Sequence, residues 1–157
     1  MFDVAVTDNT ATSGAGMRLV MGTLEIGIAI TIWDSEIYAN GATQGGGIYA
    51  TGDEGDEVSL YPLVLENVEI AGNAAIEDGG GVWAEEVRVT TVGGAVRDNT
   101  AAQGGGVFLT TTGSLNCAET DFLGNEPEDV TIEGGVTYDA ADTDATFSCN
   151  WTDPSCG

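Results

Sequence analysis

The sequence predicts an all-β fold: a right-handed, single-stranded parallel β-helix, a solenoid of about five coils with a C-terminal cap. Three observations carry the prediction. Asparagine recurs as Asn9, Asn40, Asn73, Asn99 and Asn125, at spacings of 31, 33, 26 and 26 residues. A glycine-rich corner follows four of them, as GAGMR at 14–18, GGGIY at 45–49, GGGVW at 79–83 and GGGVF at 104–108. Between these landmarks apolar and polar residues alternate with the period of a strand. A repeat this short cannot bury a face alone, so it stacks on the next, residue over residue.

The elements follow in order. Residues 1–29 hold a first, partial coil, and residues 30–62 a second that carries the insertion TGDEGDEVSLYP at 51–62. Residues 63–88 and 89–114 are compact coils, and 115–125 open a fifth. Aligned on the asparagines, Ile30, Leu63, Val89 and Leu115 form one apolar column, and Ile32, Leu65, Thr91 and Cys117 the next. Val6, Ile37, Ile70, Val96 and Phe122 form a third. After the glycines come Met17, Ile48, Val82 and Val107, then Leu19, Ala50, Ala84 and Leu109. The five asparagines are expected at one corner, where Asn tolerates left-handed backbone and its amide can hydrogen-bond up the stack. The glycines mark a second corner, where positive φ or close backbone approach excludes a Cβ. From Glu126 the pattern breaks into short runs. Residues 1–125 therefore read as the repeat domain and 126–157 as an irregular cap over the last edge.

Charge narrows the function classes. The chain has 26 acidic residues against 3 basic ones (Arg18, Arg88 and Arg97), no histidine, and a formal net charge of −23. No basic surface exists to bind phosphate, so nucleic acid is excluded as a partner. No apolar window approaches the length of a membrane span, and membrane insertion is not expected. No basic leader precedes Val4, which suggests a piece of a longer protein. Cys117 falls in an inward column, where a thiol behaves as a small hydrophobe. Cys149 and Cys156 bracket NWTDPS, and a disulfide between them is expected to staple the terminus in an oxidising compartment.

Two places are candidates for binding. In the acidic insertion, Asp53, Glu54, Asp56 and Glu57 offer hard oxygens suited to Ca²⁺, though a charge run is also what a solvated loop looks like. If Ile48, Val82 and Val107 point inward, alternation sends Tyr49, Trp83 and Phe108 outward, one per coil. Such a column serves either as a platform for a glycan or a partner surface protein, or as a cross-coil stack that stabilises the sheet.

Gly-Gly-Gly-aliphatic at 45–48, 79–82 and 104–107, with FLGN at 122–125, resembles the paired GGA-aliphatic and Phe-x-x-Asn repeats of polymorphic outer-membrane proteins. The likeness covers residues 1–125. Glycine stands where that family has alanine, and the other repeats read IYAN, IAGN and VRDN. The resemblance implies a β-helical passenger at the outer cell surface, exported and adhesive.

The expected function is a non-catalytic extracellular or cell-surface structural module, adhesin-like or forming a scaffold or filament. No catalytic residue is assigned. A calcium-dependent polysaccharide-binding protein or polysaccharide lyase is the alternative. An elimination needs a base, however, and the sequence offers neither Lys nor His, while Arg stays protonated. Self-association is expected head to tail through the ends of the β-helix, where unpaired strand edges template pairing.

Overall fold

A computed structural model describes residues 4–21, 29–52, 61–110, 113–133 and 136–138. Fourteen strands and no helix occur among them. In chain order they are β1 (Val4–Thr7), β2 (Met17–Val20), β3 (Ile30–Tyr38), β4 (Gly41–Ala42), β5 (Ile48–Thr51), β6 (Tyr61–Ala71) and β7 (Ala74–Ala75). Then follow β8 (Val82–Glu85), β9 (Val87–Arg97), β10 (Val107–Leu109), β11 (Ser114–Ala118), β12 (Asp121–Leu123), β13 (Val130–Ile132) and β14 (Val136–Tyr138).

Neighbours in a sheet come from successive repeats. One sheet runs β1-β3-β6-β9-β11, with β12 also paired to β9, and every pair in it is parallel. A second runs β2-β5-β8-β10-β13 in parallel and ends on β14, which reverses direction against β13. The short pair β4-β7 forms a third line, continued by single bridges from Thr10 to Gly41, Ala74 to Thr100 and Thr100 to Glu126. Parallel pairing thus extends past Asn125 as far as Ile132.

The registers are those of the sequence columns. Ile30 pairs with Leu63, Leu63 with Val89 and Val89 with Leu115. Val6, Ile37, Ile70, Val96 and Phe122 line up in the same way, as do Met17, Ile48, Val82 and Val107. The inward members form one apolar core in which Ile37, Ile48, Leu63, Val82, Val89, Val107, Leu109 and Leu115 are fully buried. Cys117 belongs to it. A slip of one residue would turn each strand's apolar set to solvent, so burial enforces the register.

Asparagine joins one repeat to the next. Asn9 Nδ2 donates to Asn40 Oδ1, Asn40 to Asn73, Asn73 to Asn99 and Asn99 to Asn125, each at 3.0 Å. Each Oδ1 also accepts the backbone N–H of the preceding asparagine, at 2.9–3.1 Å. From Asn40 onward the amide donates a second bond, to the carbonyl of Val6, Ile37, Ile70 or Val96 in the repeat before. At the last rung Asn125 donates to the Asp129 carboxylate at 2.7 Å, so an acceptor-only group ends the ladder.

The left-handed residue at this corner is the one before each asparagine: Asp8, Ala39, Gly72, Asp98 and Gly124 have φ of 55–65°. That corrects the sequence reading, which gave the conformation to asparagine. The preceding residue turns outward into solvent, freeing the asparagine to aim its amide along the stack.

The three glycines of each triplet have different reasons to be there. The first has positive φ, 61° at Gly45, 69° at Gly79 and 58° at Gly104. The second and third lie too close to the next repeat for a side chain. A Cβ on Gly80 would sit 2.5 Å from the carbonyl oxygens of both Thr100 and Gly105, and one on Gly81 2.5 Å from that of Gly106.

Candidate functional site

A third corner falls within β3, β6 and β9 and between β11 and β12. Asp34, Asn67, Gly93, Gly94 and Glu119 all have positive φ, between 47° and 77°. Asp, Asn and Gly are the residues that tolerate this region, which explains most of the set. Asn67 Nδ2 donates to Asp34 Oδ1 at 2.8 Å across two repeats. Ser35 turns its hydroxyl to the Trp33 carbonyl, and the Thr120 hydroxyl lies within hydrogen-bonding distance of the Gly93 and Ala118 carbonyls, so polar groups serve the backbone at this corner.

Along this corner a groove of about 900 Å³ crosses from Val4 and Ala5 to Glu119 and Asp121. Asp34, Glu36, Glu69, Glu119 and Asp121 contribute carboxylates to its lining. Ionised carboxylates only accept hydrogen bonds, so the groove suits hydroxyl or ammonium donors and repels polyanions. Glu69 is bound on its other side by Arg97, which also pairs with Asp98. No group of three His, Cys, Asp or Glu side chains that could hold a metal ion occurs among the described residues. Counted back from the asparagines, Asp34, Asn67 and Gly93 share one position of the repeat, and their residue types are those that tolerate left-handed backbone.

The aromatic column lies where the registers put it, with a different exposure. Tyr49 pairs with Trp83 and Trp83 with Phe108, while Arg18 precedes Tyr49. The Tyr49 and Trp83 rings stack at 4.4 Å with 1° between planes, and the Arg18 guanidinium lies 5.8 Å from the Tyr49 centroid. These rings stand outside the apolar core, yet Trp83 is 7% exposed, Phe108 6%, and Tyr49 only half-exposed. The expected exposure is therefore corrected, and of the two expected uses of the column the burial fits the cross-coil stack better than an open platform. Ring-on-ring contact with Tyr49 covers one face of Trp83, and Gly79 lies so close to the base of that side chain that a Cβ added to it would sit 2.8 Å from Trp83 Cβ. Burial, then the nearby Glu85, push the Tyr49 phenol above its ordinary value against the pull of Arg18.

Asp53, Glu54, Asp56 and Glu57 lie outside the described residues, as do Cys149 and Cys156. Next to the glycine corner, Asp78 has its carboxyl pushed above the usual aspartate range by burial, then by Glu77 and Glu133, with a Gln44 hydrogen bond opposing. No family model matches the chain, nor does any curated protein or solved structure.

Proposed function

We propose that this chain is a right-handed parallel β-helix of about five coils serving as a non-catalytic structural module of an extracellular or outer-cell-surface protein. The unbroken asparagine ladder carries the reading. It commits the buried amides from Asn40 to Asn125 to holding one repeat on the next. The kinship with polymorphic outer-membrane proteins belongs to this proposal, and with it an adhesive or scaffold role. Head-to-tail assembly of copies into a filament belongs to the same proposal. A net charge of −23 opposes contact between copies, so association should strengthen as salt or Ca²⁺ screens it. Light scattering across a salt and Ca²⁺ series tests assembly, and a strict monomer in every condition removes the filament arm.

The acidic groove favours one second reading, a calcium-dependent polysaccharide-binding protein or lyase, with Ca²⁺ bridging carboxylates to a polyuronate. Incubation with polyuronates and Ca²⁺ separates the two. Unsaturated product at appreciable turnover overturns the structural reading; its absence, with no Ca²⁺-dependent binding, overturns the second.

A further inference from the structure

Beside the acidic groove, and sharing Glu36 and Glu69 with it, lies a separate hollow of about 390 Å³. Its origin is one small residue. Tyr38, Ala71 and Arg97 stand in register on three successive long strands. Tyr38 is 39% exposed, while Ala71 contributes only a methyl group to the floor. The strands that carry Tyr38 and Arg97 are two spacings apart, about 9.6 Å. A ring in van der Waals contact on both faces needs about 7–8 Å between the atoms that enclose it. One ring fits in the gap that Ala71 leaves.

The chemistry of the rim selects the ring. Arg97 is held through Nη1 by Asp98, at 2.9 Å, and through Nη2 by Glu69, which leaves guanidinium N–H donors over for a ligand. Glu36, Glu69 and Asp98 present acceptors around the same opening. An anion meets three carboxylates and a chain of net charge −23, and for a cation two of those carboxylates, Glu69 and Asp98, are already engaged by Arg97. A neutral ring that donates and accepts around its whole circumference satisfies both sets, and an apolar face can lie on Tyr38. Hydroxyl groups on a saturated ring meet that description. We propose that the Tyr38–Arg97 hollow binds one sugar ring of a neutral saccharide. The neighbouring groove lies in line to receive further units of the same chain. This site needs neither Ca²⁺ nor assembly, and it stands apart from the structural proposal above.

The test is an array of neutral hexose oligosaccharides, uronate oligosaccharides and amino-sugar oligosaccharides, probed with the full chain in EDTA. Retention on neutral members is expected. Tyr38→Ala, which removes the stacking face, and Ala71→Leu, which fills the floor, should each weaken it about tenfold or more. Ile76→Ser, a change at an exposed residue outside both concavities, should leave it unchanged. Arg97→Gln decides the matter if either weakening variant loses its β-sheet circular dichroism. The proposal is overturned if no neutral saccharide is retained, if only charged ones are, or if retention survives the folded variants among Tyr38→Ala, Ala71→Leu and Arg97→Gln.

Discussion

Truncating the middle rung, Asn73→Ala, deletes four hydrogen bonds at once. Asn73 Oδ1 accepts from the backbone N–H and the amide of Asn40, and its Nδ2 donates to Asn99 Oδ1 and the Ile37 carbonyl. The partners suffer unequally. Asn40 Nδ2 keeps Val6 and Tyr38, and Asn99 Oδ1 keeps the Asn73 N–H. The Asn40 N–H, in a residue 1% exposed, loses the acceptor it had, and the Ile37 carbonyl loses a donor. At about 1–3 kcal/mol for each stranded buried group, the loss comes to about 2–6 kcal/mol. Asn9→Ala is the internal control. That residue is exposed, and its side chain makes one bond, to Asn40 Oδ1, which implies about 0.5–1.5 kcal/mol. Urea unfolding followed by circular dichroism reads both differences as shifts in midpoint at constant slope. If Asn73→Ala costs no more than Asn9→Ala, the ladder is decoration and the argument for a structural module falls with it.

Three further outcomes are expected. Gly80→Ala drives a methyl group against two carbonyl oxygens and should cost about 1–3 kcal/mol or more in urea unfolding; Gly72→Ala, where φ is 61° with open space around the site, should cost only the left-handed strain of about 1–2 kcal/mol. Trp83→Ala should destabilise by about 3–5 kcal/mol because the ring is buried in the stack, whereas Trp33→Ala, at 48% exposure, should stay within about 0.5 kcal/mol. Asp78 holds its proton more tightly folded than unfolded, so its contribution favours the native state below the ordinary aspartate range and is lost as pH rises through the raised folded value. Asp78→Asn should therefore raise the melting temperature at neutral pH and not at strongly acid pH; an equal effect at both would refute the assignment.

Much of the fold was legible because the repeats write the same residue type at the same place. Asn9 to Asn125 and the apolar columns are such positions, and each has its register partner where alignment put it. The turn residues were legible only where one type serves. Ahead of the asparagines the left-handed position is filled by Asp, Ala or Gly, and at the third corner by Asp, Asn, Gly or Glu, so no column of identical letters marks either corner. Both concavities follow from those corners and from the size of Ala71, and a period of two cannot report them. Alternation also gave the direction of Trp83 correctly and its exposure wrongly, since it says which side a ring leaves the strand and nothing of what lies on top of it.

The unequal lengths of the repeats have a use. Between β2 and β3 the chain spends residues 21–29, between β5 and β6 residues 52–60, between β10 and β11 residues 110–113, and between β8 and β9 only Glu86. The stacked registers on either side are unchanged by these differences. Length can therefore vary at the passage from the second sheet into the first, while the asparagine and glycine corners hold nearly constant spacing. Segments leaving that passage in neighbouring repeats start about 4.8 Å apart. A graft inserted into two or three of them would start its copies at one fixed pitch, turning segments of unequal length into a ruled surface whose spacing the flanking strands set in advance.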